Sequence, residues 1–263
     1  QKYMLKAAHL GHANAMLILG HFYYDGPLDY RNDALALDWM NESMKHGATL
    51  DDDLSVDDLK KYAAKGDREA IYYLGVANQN GIGMNPSQEK AIALFRKSSE
   101  LEYDRAQYKL GLIYYNGIHV EQDLFRAVSL FRKSADQGDA KAQYRLGLCY
   151  QTGRGVEKDL AKAIQLYKKS ADQNYSKAQN ALAWIYATSP DSSHSKPKKA
   201  IEYSLKATKI QPKEWSYFDT LAAAYARNNQ FNEAIEIQKQ VLSMIEDDTS
   251  ISQNRKEFYR NRC

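Results

Sequence analysis

The feature that most constrains this chain is an internal repeat of 36 residues. Segments 106–136 and 142–172 are identical at 18 of 31 aligned positions. A Leu-Gly pair recurs at residues 74–75, 110–111 and 146–147, so the step between pairs is 36 residues each time. Self-similarity at a fixed period of this length is typical of repeat proteins, in which each repeat is one supersecondary unit. We therefore expect a stack of similar units.

Each unit contains the pattern of two helices. Ala142, Leu146 and Tyr150 lie at i, i+4 and i+8, which places them on one stripe of an amphipathic helix. Gly153 follows at the position of a C-terminal glycine cap, and Asp159 stands as the N-cap of a second helix. One helical hairpin cannot bury both of its apolar faces, whereas stacked hairpins can. The fold class predicted is all-α, a solenoid of helix-turn-helix units.

The same capping positions recur in the two preceding units. Gly81 and Gly117 are expected to end the first helices, and Ser87 and Asp123 to begin the second helices.

Small residues recur at two further places in the repeat, between the paired helices and in the turn that joins them. Gly147 and Ala163 are small enough to let the two helices of a unit approach closely. His119 stands where the neighbouring units have Gly83 and Gly155. We expect the turn there to need a left-handed backbone, which costs more for His than for Gly.

The pattern LGxxYxxGxGVxxDxxxAxxLYxxSAD at a period of 36 resembles the Sel-one-like repeat, a subfamily of the tetratricopeptide repeats. The resemblance is close over residues 60–187 and looser over 2–48. It implies a right-handed α-α superhelical solenoid whose first helices line a concave face. It also implies protein–protein interaction and no catalysis.

The predicted domain organisation follows the repeat and its interruptions. We expect Sel-one-like repeats over 1–187, with a partial first unit and an insertion near 47–58. The polar, Pro-containing segment 188–197 is predicted to be a loop. After it the step between repeat signatures lengthens to 39 residues, so the strict period is broken. Residues 198–247, with Leu221, Ala222, Tyr225 and Ala234, resemble an ordinary tetratricopeptide unit. Residues 248–263 are predicted to form a C-terminal capping helix or tail.

Composition and motifs exclude several classes of function. Lys plus Arg is 36 and Asp plus Glu is 33, a net charge of +3 that is too balanced for electrostatic binding of nucleic acid. Cys149 and Cys263 cannot build a disulfide framework or a zinc site, and Cys149 is predicted to be buried. No apolar run approaches the roughly 20 residues of a membrane span. The sequence lacks GxSxG, HExxH and phosphate-binding GxxxxGK motifs. We therefore predict no catalytic residue, no metal and no cofactor.

Partner binding is expected on the side of each first helix opposite its packing stripe, where the sequence places aromatic and amide side chains. Aromatic rings offer apolar area at low entropic cost, and amides can bond an extended peptide backbone. The predicted binding residues are Tyr24, Tyr72, Gln79, Tyr108, Tyr115, Tyr144, Gln151, Asn180 and Trp184.

Two interpretations compete for the tyrosines that stand two residues before each Leu-Gly pair. They could line a peptide groove, or they could pack between units, which we favour because Tyr belongs to the repeat motif itself. The motif dictates Tyr24, Tyr115 and Trp184 less strongly. An exposed aromatic ring at these three positions is the better candidate for partner contact.

The favoured function is a non-enzymatic scaffold or adaptor that binds a protein or peptide segment in its concave groove. The alternative is a regulatory or positioning subunit of a cell-envelope enzyme or secretion complex, and a carbohydrate-binding module is the least favoured class. Homo-oligomerisation through an exposed solenoid end is a further expectation. The resemblance favours a bacterial protein of the periplasm or exterior, with a cytoplasmic location left open.

Overall fold

A computed structural model of the chain describes residues 56–81 and 83–247. Within these ranges all regular secondary structure is helical, so the predicted all-α class is confirmed. The predictions for the first unit, the acidic insertion, Tyr24, Cys263 and the C-terminal cap lie outside the described residues.

The described helices match the expected alternation of first and second helices within each unit. They are α1 (Val56–Ala64), α2 (Arg68–Asn80), α3 (Gln88–Glu100), α4 (Asp104–Asn116), α5 (Leu124–Asp136), α6 (Ala140–Thr152), α7 (Leu160–Asp172), α8 (Ser176–Thr188), α9 (Pro197–Ile210), α10 (Trp215–Arg227) and α11 (Phe231–Asp247).

The helices belong to two compact units. The first contains the described residues up to Ala142 together with 154–157, and the second contains 143–153 and the residues from 158 onward. In the first unit, each helix from α1 to α5 packs against the next. In the second, the same holds from α7 to α11, and α8 also packs against α10. Stacked helical hairpins are what the repeat predicts.

The predicted caps are confirmed. Asp123 and Asp159 each accept a hydrogen bond from the backbone N–H three residues later, at 2.8 and 2.9 Å. Ser87 does the same at 3.3 Å. Gly81 and Gly117 end α2 and α4 in the left-handed region, with φ of 72° and 67°. These local signals fix where each helix of the hairpin begins and ends.

Close approach of the two helices at Gly147 is also confirmed. A Cβ atom added there would lie 2.8 Å from Tyr167 Cε1 and 3.3 Å from the carbonyl oxygen of Ala163. The Tyr167 ring therefore packs directly on the α6 backbone and is fully buried.

The turn between first and second helices demands a left-handed residue, as expected. Gly155 has φ of +71° and the repeat-equivalent His119 has φ of +55°. Gly155 meets a second constraint, because a Cβ atom there would collide with the backbone carbonyl of Leu124. Both the left-handed backbone and the close approach of Leu124 therefore favour glycine at position 155.

Two buried tyrosines of the second unit differ in how their hydroxyls are satisfied. Tyr167 donates to Gln151 Oε1 at 2.6 Å. The Tyr186 hydroxyl is buried with no hydrogen-bond partner. Burial raises the pKa of Tyr186 to about 12, because the phenolate would lose hydration.

The repeat-equivalent positions 155 and 119 should respond to substitution with opposite signs. Gly155→Ala forces a Cβ into left-handed backbone and against Leu124, so we expect a loss of about 3 kcal/mol in the free energy of unfolding. His119→Gly relieves the left-handed strain and should gain up to about 0.5 kcal/mol after the entropic cost of glycine. Urea unfolding followed by far-UV circular dichroism measures both. Equal responses of the two variants would contradict this account.

Replacing Tyr186 or Tyr167 by phenylalanine tests what each hydroxyl contributes to the free energy of unfolding. Tyr186→Phe removes an unbonded buried hydroxyl and should be neutral or stabilising by up to about 1 kcal/mol at pH 7. Tyr167→Phe removes the bond to Gln151 and should cost about 1 kcal/mol. The urea midpoint of each variant, compared with that of wild type, measures these changes in stability.

The Tyr186→Phe variant also tests how stability depends on pH. The folded pKa of Tyr186 lies above the ordinary value of 10, so the stability that this group contributes is fully present below pH 10. It falls as pH rises toward 12, because the unfolded chain releases this proton first. Tyr186→Phe should reduce this alkaline fall. An alkaline profile identical to that of wild type would contradict the assignment.

Candidate functional site

The structure places the tyrosines of the predicted column between helices. Tyr72 is 4% exposed, and its ring centroid lies 5.6 Å from Phe95 and 5.4 Å from Tyr103. Tyr144, in the second unit, is half-buried against Tyr167 and Tyr175, at 5.6 and 5.5 Å. Burial raises the pKa of Tyr144, so its phenol stays neutral. These contacts agree with the packing interpretation of the column.

Tyr108 occupies the same place in the first unit. Its half-buried ring lies 6.0 Å from the ring of Phe131.

The expectation of an exposed ring at Tyr115 is wrong. Tyr115 is only 7% exposed, because the Arg154 guanidinium lies 4.4 Å above its ring and Phe131 packs at 6.0 Å. The cation comes from the turn of the following repeat, 39 residues later in the chain. Sequence spacing around Tyr115 contains no signal of this contact.

The predicted amide residues are partly engaged within the protein. Gln151 Oε1 accepts the Tyr167 hydroxyl, and the backbone oxygen of Gln79 accepts from Gln88 Nε2 at 3.3 Å. Asn180 is half-buried, and its Oδ1 atom is buried with no hydrogen-bond partner. The Gln151 side chain is therefore engaged within the fold, whereas peptide binding by the side-chain amides of Gln79 and Asn180 stays a prediction.

Of the predicted binding residues that the structure describes, Trp184 is the exposed one, with 42% of its surface accessible. It forms one wall of a groove that runs over α10 and lies entirely within the second unit. We call it the α10 groove; its volume is about 670 Å³. Its apolar lining includes Trp184, Ala223, Ala226, Phe231, Ile235 and Leu242.

The floor of the groove follows from the sequence of α10. Asp219, Ala222, Ala223 and Ala226 lie at i, i+3, i+4 and i+7, which puts them on one helix face. Three alanines in this row leave a shallow trough, since no long side chain fills it.

The second wall arises because α11 carries two apolar stripes. Val241 and Ile245 are buried in a core cluster with Phe218 of α10. A separate stripe faces the groove, in which Phe231 is 59% exposed and Ile235 53% exposed. Sequence reasoning missed these two residues, although their i, i+4 spacing outside the core stripe is a visible signal.

The polar side chains of the groove bond to groups of the protein itself. Thr188 Oγ1 donates to the backbone oxygen of Trp184 at 2.7 Å. Gln238 Nε2 donates to Asp219 Oδ1 at 3.5 Å. Lys239 forms an exposed ion pair with Glu236 of α11 at 2.9 Å. The groove therefore offers apolar contact and provides no nucleophile–base pair.

A Ser-His-Asp set in the 189–196 connection lacks catalytic geometry. Asp191 Oδ2 and Ser193 Oγ both lie near the same nitrogen, His194 Nδ1, at 3.1 and 3.0 Å. A triad uses the two ring nitrogens for different partners. The hydrogen bond from the backbone N–H of Ser193 lowers the pKa of Asp191, with help from the hydroxyl of Ser193 and from His194. These are contacts of a tight turn.

The described residues contain neither a metal-ligand cluster nor a membrane-spanning helix. Across 56–81 and 83–247, no three His, Cys, Asp or Glu side chains come together as metal ligands. None of the helices described is both long and apolar enough to cross a membrane. Cys149, as predicted, is buried.

Comparison with solved structures supports the solenoid fold. A protective antigen of uropathogenic Escherichia coli, c5321, which displays an SLR fold, is 25% identical with a TM-score of 0.63 over 93% of this chain. The chain spans 57% of that protein's length. A Sel1 repeat protein from Oxalobacter formigenes is 23% identical, with a TM-score of 0.57 and 91% of both chains covered. YrrB, a TPR protein with an unusual peptide-binding site, is 16% identical over 79% of this chain and 100% of its own, with a TM-score of 0.51.

Among curated proteins, none matches the chain. The Sel1 repeat, in contrast, matches most of its length. The matched segments are residues 1–12, 13–47, 68–103, 104–139, 140–175 and 176–209. The chain therefore belongs to the Sel1 repeat family.

Proposed function

We propose that this protein is a non-enzymatic scaffold that binds a segment of a partner protein in the α10 groove. Sel1 and tetratricopeptide-like repeats are typical of protein–protein interaction scaffolds, and the family is generally non-catalytic. The fold supplies the class of function, and the groove supplies a candidate site.

The observation that carries the proposal is the convergence of three exposed apolar side chains on one groove. Trp184 comes from α8, and Phe231 and Ile235 come from α11. Single exposed apolar residues are ordinary, but a contiguous group in a concave site is typical of a binding surface. Burying each such side chain contributes about 2 kcal/mol, and aromatic anchors dominate most interfaces.

The proposal retains Trp184 from the predicted set and shifts the site away from the tyrosine column. Tyr72 of the column is buried, and Tyr108 and Tyr144 are half-buried against other rings, so a partner would have to displace intramolecular packing to cover these rings fully. The walls of the α10 groove are accessible without such rearrangement.

Site-specific photocross-linking in cells that naturally make the protein tests the proposal. Benzoylphenylalanine replaces Lys239 at the groove or, as a control, Lys209, an exposed lysine of α9 that does not line the groove. We expect a discrete protein adduct from position 239 only. Ile235→Asp should abolish that adduct, because it places a charge on the apolar wall.

A matched substitution controls for the loss of an exposed apolar residue. Phe125 is 79% exposed on α5 in the first unit, and Phe125→Asp should leave the adduct intact. All variants should first show wild-type circular dichroism and melting. Equal adducts from positions 209 and 239, or none from 239, would refute binding in the α10 groove.

A further inference from the structure

We infer that the exposed face of α9 binds the surface of an anionic phospholipid membrane. This face is separate from the α10 groove, because none of the residues that line the groove belongs to α9. Two properties of the second unit lead to the membrane: its charges are segregated between helices, and the exposed lysines of α9 lie in rows with aliphatic side chains.

The charges of the second unit are segregated, although the net charge of the whole chain is only +3. α9 carries four lysines and one glutamate, whereas α11 carries four acidic residues and one lysine. Residues 196–213 include six lysines, one glutamate and no arginine. α9 therefore presents a local positive charge that the composition of the chain does not reveal.

The exposed side chains of α9 lie in two neighbouring rows. Ala200, Ser204 and Ala207 are buried, so the opposite side of the helix faces the core. Helical residues at i, i+7 and i+11 fall in one row. Two lysines and one aliphatic residue, 46% or 40% exposed, make up each row. The rows are Lys198, Leu205 and Lys209, and Lys199, Lys206 and Ile210.

Most of the positive charge on this face is not neutralised within the protein. Glu202 forms an ion pair with Lys206 at 2.7 Å, and both side chains are more than half exposed. The hydrogen bond to Glu202, with help from Asp172 of α7, raises the pKa of Lys206. The other three lysines of the two rows form no ion pair with any residue of the described ranges. They are available to an external anion.

An anionic membrane suits both kinds of side chain in these rows. Lysine ammonium groups are attracted to anionic headgroups, and the apolar stems of lysine can lie along the interface. Leu205 and Ile210 would enter the boundary between headgroups and acyl chains, where burial of apolar area is favourable. With only 14 residues, α9 would lie in the plane of the surface and would not cross the bilayer.

Other anionic partners suit this face less well. Nucleic acid would attract the lysines, but a phosphate backbone offers no apolar region for Leu205 and Ile210. Arginine, which makes bidentate contacts to bases, does not occur in 196–213. Protein–protein interfaces are depleted in lysine and enriched in arginine and aromatic residues. Lysine combined with aliphatic side chains therefore favours a lipid surface.

Co-sedimentation of the full chain with vesicles tests this inference. Vesicles of phosphatidylcholine alone are compared with vesicles of an equal mixture of phosphatidylcholine and phosphatidylglycerol. We expect binding to the anionic vesicles only. The affinity should fall as the salt concentration rises, because salt screens the attraction between exposed lysines and headgroups.

Two double variants with the same change in net charge then locate the contact. Lys198→Glu combined with Lys209→Glu should weaken binding about 25-fold or more, because each lysine near an anionic surface strengthens binding about fivefold. Lys61→Glu combined with Lys90→Glu alters two exposed lysines of the first unit and should leave binding nearly unchanged. Both variants should first show wild-type circular dichroism and melting.

A matched pair of serine substitutions tests the aliphatic residues. Leu205→Ser should weaken vesicle binding about fivefold, because apolar area no longer enters the bilayer. Ile118→Ser is the control, since Ile118 is 45% exposed in the first unit and should not contact the vesicle.

Three results would overturn this inference. Failure to bind anionic vesicles at physiological salt, or binding that survives Lys198→Glu with Lys209→Glu, would exclude the α9 face as a membrane surface. Vesicle binding that is unaffected by Leu205→Ser would exclude entry of the aliphatic side chains into the bilayer. Tighter binding to a DNA duplex than to the vesicles, lost in the same double variant, would make nucleic acid the ligand of this face.

Discussion

The contact on which the rest of this structure depends is a glycine backbone set against an aromatic ring. It recurs in three successive repeats. A Cβ atom on the glycine would lie 2.7 Å from the ring for Gly75 and Phe95, 2.6 Å for Gly111 and Phe131, and 2.8 Å for Gly147 and Tyr167. All three rings are fully buried. The tyrosine column then packs on these rings at 5.6 to 6.0 Å, so the helix spacing set by glycine draws the column into the fold.

The candidate site lies beside α8, whose sequence departs from the glycine and tyrosine pattern of the three preceding repeats. In α8, Ala183 stands in the glycine position, Asn180 replaces the column tyrosine, and Trp184 replaces a leucine. The aromatic residue of this repeat therefore stands four positions later than the column tyrosine, and its side chain is 42% exposed. The α10 groove thus lies where the step between repeat signatures lengthens to 39 residues and where the regular pattern of glycine and tyrosine ends.

Local features of the fold could be predicted from the sequence, and contacts between distant residues could not. The caps at Asp123 and Gly117 depend on neighbours within four residues, so the sequence contains their full signal. The burial of Tyr115 depends on Arg154 in the next repeat. The second wall of the α10 groove exists because Val241 and Ile245 of α11 pack on Phe218 of α10, which leaves Phe231 and Ile235 to line the groove. Sequence periodicity does not show which of these two apolar stripes is buried.

Glutamine side chains form hydrogen bonds within the fold at three places along the repeats. Gln173 Nε2 bonds Gln143 Oε1 at 2.9 Å, and Gln137 bonds Gln107 in the same way at 2.8 Å, so each pair joins the end of one hairpin to the start of the next. Gln151 of α6 accepts the hydrogen bond of Tyr167 in α7, so this contact lies within one hairpin. In each of the two pairs one glutamine is buried, Gln143 or Gln107, so breaking its hydrogen bond would leave a buried amide oxygen without a partner. The walls of the α10 groove are exposed apolar side chains, so the contact proposed there rests on apolar burial and shape.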